Sequence, residues 1–284
     1  MEYISSSLVT LADSDSPAIS VMFGDWHGSG HFAVRALTRA LLAFPQAQLY
    51  HVGDFGLSDS TYGQHYLDAV DAVLARYQQT ISVIPGNHEQ WPLLDLDVAS
   101  IFDLDGTDTF GFMVSRRWPQ VRICPRVNSW IRGGTTFAAL SGANSIDFQL
   151  RTEGRSWWPE ESPTSDHVSD LVALNDGRRV DVLLTHDAPS SAIDALVLYP
   201  DELNGTSGWS PEALAYARES AAVIEQARSQ LMPALQFCGH HHIRRSALVD
   251  GTRVEILDSN QSGSIAKNAA VFSGDVVAPL IHPG

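Results

Sequence analysis

The sequence predicts an α/β fold of stacked layers, on two observations. Short apolar runs stop abruptly at glycine and polar residues five times along the chain. Amphipathic helical patterns fall between several of these runs.

The elements follow in order. Residues 1–17 read as a polar lead-in. Ala18–Phe23 runs into Gly24-Asp25-Trp26-His27, Leu49–Val52 into Gly53-Asp54, and Ile81–Ile84 into Pro85-Gly86-Asn87-His88-Glu89. Val180–Leu184 runs into Thr185-His186-Asp187, and Leu235–Cys238 into Gly239-His240-His241-His242. Brief β-rich runs cut by glycine read as buried strands with loops at one end. Between them, Phe32–Phe44 carries apolar residues at 33, 36, 37, 40, 41 and 44, one face of a helix. Tyr62–Tyr77 repeats that spacing through Tyr66, Val70, Val73, Leu74 and Tyr77. Ser210-Pro211-Glu212 opens a third helix, running to about Leu231: a capping serine, proline at the first helical position and an acid in the first turn. After His242 the pattern turns to strands. Ser246–Val249 and Thr252–Leu257 flank an Asp250-Gly251 turn as a hairpin, and Asn268–Ser273 reads as a further strand. Ser141–Asp166 and Ser190–Trp209 read as irregular. Loops this long are often binding loops or lids, so 141–166 and 190–209 are expected to be substrate insertions within a single domain spanning 1–284.

Composition narrows the function classes. With 44% hydrophobic and 18% charged residues, the chain can bury a sizeable core. A formal net charge of -15 disfavours long nucleic acid as a partner, because such a surface repels phosphate backbones. Cys124 and Cys238 stand far apart, outside any C-x-x-C, and are expected to be small buried hydrophobes. There is no apolar run of membrane-spanning length and no signal-peptide pattern at the start, so the expectation is a cytoplasmic chain with no membrane partner.

The chemistry sits at the strand ends. In layered α/β sheets, ligands bind beyond the carboxyl ends of strands, so Asp25, His27, Asp54, Asn87, His186, His240 and His242 are expected to converge at one rim. Asp25 and His27 are two residues apart, as are His240 and His242; in extended backbone that spacing points both side chains to one side. The donors are all N and O, which suits Mn, Fe or Zn. Seven exceed one tetrahedral site and suit two ions about 3.5–4 Å apart sharing a carboxylate. His31, His51, His65, His167 and His282 are read as surface or packing residues.

These motifs, in this order, resemble those of the calcineurin-like metallophosphoesterase family over roughly Ser20 to Asp258. The resemblance implies a four-layer α-β-β-α sandwich with two mixed sheets. It implies one metal on Asp25, His27, Asp54 and His242, and another on Asp54, Asn87, His186 and His240, with Mn favoured and His241 a spacer. It further implies hydrolysis of a phosphate ester by in-line attack of a hydroxide between the metals, with His88 as general acid. Glu89 is expected to hydrogen-bond behind the ligands. The protein phosphatase branch reads Gly-Asp-x-Val-Asp-Arg-Gly at the second motif. Here Leu57 and Ser58 replace the Asp that orients the catalytic His and the Arg that clamps phosphate. A looser resemblance, of Ser145-Ile146-Asp147, Arg151, Gly154 and Ser156–Glu160 to bacterial and phage-type phosphoesterases, suggests the replacement. Arg151 or Arg155 would reach phosphate, and Trp157 or Trp158 would stack on a base or pack the lid. The expected substrate is a small phosphomonoester or phosphodiester, such as a nucleotide or 2′,3′-cyclic nucleotide. The competing readings are a nuclease and a non-catalytic metal-binding scaffold.

Overall fold

The computed structural model describes residues 19–96, 100–198, 208–274 and 276–281. The lead-in at 1–17, His282 and residues 199–207 of the expected second insertion lie outside the described residues.

The strands are β1 (Ser20–Phe23), β2 (Gln48–His51), β3 (Ile81–Val83), β4 (Leu104–Thr107), β5 (Met113–Ser115), β6 (Val121–Ile123) and β7 (Val127–Arg132). They continue as β8 (Thr135–Leu140), β9 (Val182–Thr185), β10 (Leu235–Cys238), β11 (Arg245–Val249), β12 (Thr252–Ile256), β13 (Ala269–Ser273) and β14 (Val276–Pro279). The helices are α1 (Gly30–Ala43), α2 (Thr61–Arg76), α3 (Ser165–Asn175), α4 (Ser190–Leu196), α5 (Pro211–Leu231) and α6 (Ile265–Asn268).

Two mixed sheets result. One has the order β14-β13-β1-β2-β3-β6-β5-β4, the other β11-β12-β10-β9-β8-β7. Strands β1, β2 and β3 run parallel, as do β9 and β10, so their carboxyl ends emerge at a common edge of each sheet. Side-chain alternation explains why these strands read as unbroken apolar runs. Val21 and Phe23 pack with the α1 and α2 residues Ala33, Leu37, Leu67 and Val70, whereas Met22 faces the second sheet with Tyr50, Phe137 and Phe237. On β9, Val182 and Leu184 join that central layer, while Leu183 packs against Leu171 of α3 and Ile224 of α5. Both faces of each sheet are therefore covered, giving the α-β-β-α order of layers.

The expected helices form within one or two residues of their predicted limits. Ser210 caps α5, its hydroxyl accepting from Ala213 N at 3.0 Å. The hairpin pairs Val249 with Thr252 across Asp250-Gly251. Two expectations need correction. The segment from 190 is not loop-like at its start: α4 occupies Ser190–Leu196, burying Ala192 and Ile193 against Ala221 of α5. Within 141–166, α3 begins at Ser165 with Thr164 as its cap. Both helices have short apolar stripes, which is why periodicity alone did not expose them. Cys124 and Cys238 are free and buried, as expected.

Candidate metal centre

Five strand ends meet where the two sheets face each other. Trp26 N and His27 N both donate to Asp54 O, at 3.0 and 2.7 Å, tying the end of β1 to that of β2. Gly239 N donates to His186 O at 2.9 Å, tying β10 to β9. His240 N donates to the Asp25 carboxylate at 3.1–3.2 Å and so joins the two sheets.

Glycines make this approach possible. A Cβ on Gly53 would overlap the His186 ring, and one on Gly239 would overlap the Asp25 carboxylate. Gly53 also sits at φ +99°, where a side chain is strained even with space available.

All seven sequence-derived donors converge, in two groups. One donor atom each from Asp25, His27, Asp54 and His242 lie within 4.8 Å of one another. His242 Nε2 is 3.1 Å from Asp25 Oδ2 and 3.0 Å from His27 Nε2. In the second group, Asn87 Oδ1 lies 3.0 Å from both His186 Nε2 and His240 Nδ1. Asp54 Oδ1 is 3.2 Å from His186 Nε2, and Asp54 Oδ2 is 3.8 Å from His27 Nδ1, so Asp54 belongs to both groups.

The way they converge corrects the spacing argument. His27, His240 and His242 have φ of 46°, 65° and 51°, so these segments are turned, not extended. His240 and His242 therefore reach different groups. Asp54 is also left-handed, at φ 53°, and such strain concentrates where tertiary contacts hold functional side chains.

The donor chemistry fits divalent cations. Asp25 and Asp54 are buried, and burial alone would raise their carboxyls. Burial is the largest single effect on each, but other groups together outweigh it. At Asp25 these are the His242 hydrogen bond with the charges of His186 and His27; at Asp54 they are the charges of His186, His88 and His27 with the His186 hydrogen bond. Both carboxyls are therefore held below the usual carboxylate range. Burial depresses His186, but the Asp54 carboxylate overrides it and raises the imidazole to about 10. Two buried carboxylates thus demand positive charge, which a metal ion supplies in place of a proton. His186 Nδ1 lies 2.7 Å from Val52 O and donates to it, so the proton a cation would displace is the one on Nε2, whose lone pair would then face Asn87 and Asp54.

Behind these residues stands Glu89, fully buried. Its carboxylate accepts from Asp54 N at 3.2 Å, Gly56 N at 3.0 Å and Gly86 N. It clips the second and third motifs together. Burial raises its carboxyl to about 7, with Asp54 adding to the shift.

A cleft of about 430 Å³ opens over the site. Its walls include His88, Asp147, Arg151, Ile146, Trp209 and Gln261. Of the four residues singled out in the insertion, Arg151 reaches the cleft, with Nη2 2.7 Å from His88 Nε2. Arg155 is exposed and is not among the lining residues. Trp158 packs against the core on the α1–α2 side, and Trp157 Nε1 donates to Glu161 Oε1 at 2.9 Å. The tryptophan that lines the cleft is Trp209.

Sequence reasoning missed several partners. His241, read as a spacer, lines the cleft and lies 3.1 Å from buried Asp187, which also accepts from Ser220 Oγ at 2.5 Å. Asp187 directly follows His186, and that adjacency was the available signal. Asp147 holds Arg151 Nε at 2.8 Å, an i,i+4 spacing legible in the sequence. His51 is buried edge-on to the Trp26 and Phe55 rings, the packing role expected of it.

The comparisons with known proteins give the family and the fold. Residues 21–244 match the family model of calcineurin-like phosphoesterases. Among solved structures, the phosphopantetheinyl hydrolase of Mycobacterium tuberculosis superposes with a TM-score of 0.53 at 17% identity, covering 95% of this chain and 100% of that one. The protein TT1561 of Thermus thermophilus gives 0.54 at 10% identity, covering 94% and 100%. Identities this low speak for the fold alone. No curated protein sequence matches. Among the described residues, no helix is long and apolar enough to cross a membrane. With the family model spanning all five strand-end motifs, this chain belongs to the calcineurin-like phosphoesterases, a family of metal-dependent phosphoester hydrolases.

Proposed function

We propose that the chain hydrolyses a small phosphomonoester or phosphodiester, such as a nucleotide or 2′,3′-cyclic nucleotide, with two divalent ions. Asp25, His27, Asp54 and His242 would hold one ion, and Asp54, Asn87, His186 and His240 the other. Manganese is favoured, with iron and zinc also suited to these N and O donors. The observation that carries this reading is Asp54, whose two carboxylate oxygens face the two donor groups. When bound, the ions supply Lewis acidity and lower the pKa of a bound water toward neutrality.

The residues of the chain do the rest. His88 lies over Asp54, its Nε2 3.9 Å from Asp54 Oδ2, placed to give a proton to the leaving-group oxygen. Arg151 stands beside it with donors to spare for a phosphoryl oxygen. It takes the place of the arginine that the second motif lacks. Asp147 fixes the guanidinium from behind. Trp209 and Ile146 offer the organic part of the substrate an apolar wall. A cleft of about 430 Å³ suits a small molecule, in keeping with a net charge of -15 that opposes long nucleic acid.

The test is hydrolysis of a panel of phosphomonoester, linear phosphodiester and 2′,3′-cyclic nucleotide with added Mn²⁺. Turnover should be metal-dependent and fall by about 10³-fold or more in Asp54→Ala, a loss of several kcal/mol of transition-state stabilisation. Protein that binds Mn²⁺ yet turns over no member of the panel would favour a non-catalytic scaffold.

A further inference from the structure

Glu161 is completely buried, and four donors point at its carboxylate. Oε1 accepts from Ser145 N at 2.6 Å, Trp157 Nε1 at 2.9 Å and Tyr216 OH at 3.2 Å. Oε2 accepts from Ser145 Oγ at 2.7 Å. Ser145 Oγ in turn lies 2.8 Å from Asn87 Nδ2. This chain of contacts links the segment after β8 to a residue of the candidate metal centre.

The direction of the chain follows from proton counting. An ionised carboxylate only accepts. The single hydroxyl proton of Ser145 is therefore committed to Glu161, and toward Asn87 the Ser145 oxygen has only lone pairs to offer. The Asn87 amide must turn its NH₂ group to Ser145, which leaves Oδ1 toward His186 and His240, 3.0 Å from each. An amide turned the other way would present N–H donors to a cation, which cannot ligate.

We infer that Glu161, acting through Ser145, sets the orientation of the Asn87 amide and so determines the affinity of one of the two metal positions. Both are positioning residues and touch neither substrate nor metal. The inference rests on the reading of Asn87 as a metal ligand. The anchor is rigid: Trp157 and Tyr216 pack on Phe148, with centroids 5.6 and 4.7 Å away, and Arg126 holds the Glu160 and Glu161 carbonyls.

The experiment titrates Mn²⁺ into metal-stripped, full-length protein at pH 8, above the value of about 7 to which burial raises the Glu161 carboxyl. Ion number and affinities are read by calorimetry. Wild type should take up two ions. Ser145→Ala should weaken one position by about 10–100-fold and spare the other, the usual effect of removing a ligand's hydrogen-bond partner. Glu161→Gln should weaken the same position. Its amide oxygen stays with the three donors on the Oε1 side, so its NH₂ faces Ser145 and reverses the relay. Asn87→Asp supplies the discriminating background. A carboxylate presents oxygen whichever way it turns, so Ser145→Ala added there should change affinity by less than about twofold, a non-additive cycle. The inference is overturned if Ser145→Ala and Glu161→Gln, folded by circular dichroism, leave both affinities unchanged. Equal losses from Ser145→Ala in the wild-type and Asn87→Asp backgrounds, the mark of a packing defect, would also overturn it. Wild type binding fewer than two ions would instead remove the two-metal reading.

Discussion

Arg151 Nη2 lies 2.7 Å from His88 Nε2, and Asp147 holds the same guanidinium through Nε at 2.8 Å. A guanidinium only donates, so His88 Nε2 accepts here and carries no proton. To act as a general acid, His88 must be protonated at that nitrogen, and Arg151 must then turn from it toward the substrate. Arg151 also tunes the imidazole. Burial is the largest effect lowering its pKa, Asp54 opposes it, and the Arg151 charge lowers it further.

Arg151→Ala should therefore do two things. It should cut kcat/KM by about 10²-fold, the loss of a charge-assisted contact to the phosphoryl group. It should also move the alkaline limb of the pH profile upward, because a higher His88 pKa keeps the acid protonated to higher pH. Arg155→Ala, an exposed neighbour outside the cleft, should change neither. An unmoved limb in Arg151→Ala, measured with the preferred ester, would separate Arg151 from His88.

Glu89→Ala should destabilise the metal-free protein. It strips the acceptor from the backbone N–H groups of Asp54, Gly56 and Gly86, all at the joint of two motifs. Leaving buried donors unpaired costs about 1–3 kcal/mol each. A loss of at least about 3 kcal/mol is expected by urea denaturation, with weakened Mn²⁺ uptake because Asp54 loses its backing.

Gly53→Ala should injure the centre more than the fold. The added methyl overlaps His186 at a backbone φ of +99°. The strain falls on the joint between the sheets, and the His186 ring is the part able to move. Mn²⁺ affinity should fall by about 10-fold or more while circular dichroism stays close to wild type. Intact metal binding would show that the ring has room to give.

The pH dependence of stability should carry the mark of Glu161. Burial raises its carboxyl to about 7, outweighing the hydrogen bonds that favour the ion. The folded state then holds a proton that the unfolded chain has released above its ordinary value of about 4.5. The contribution of this group is fully present below that value and is lost as pH rises through about 7. In metal-stripped protein, the Tm of wild type relative to Glu161→Gln should therefore fall between pH 5 and pH 8. A difference in Tm that stays constant with pH would show that Glu161 is ionised throughout.

The order of residues alone determined a good deal. Each donor motif follows a strand-like run, four of the five with a glycine between, so Asp25, His27, Asp54, Asn87, His186, His240 and His242 were legible as one rim, and so were α1, α2, α5 and the β11–β12 hairpin. These signals are local: hydrophobic period, capping and turn chemistry act over a few residues. The second sheet came only from family resemblance, since strand pairing between distant segments leaves no short-range mark. Strand spacing also misjudged how the ligands meet, because left-handed turns at His27, His240 and His242 are imposed by contacts across the sheets. Only the tertiary structure chose Arg151 over Arg155, packed Trp158 against the core, brought Trp209 to the cleft and placed Glu161 behind Asn87. Such choices depend on which side chains approach within about 3 Å, the reach of a hydrogen bond, and that distance is decided by packing rather than by position along the chain.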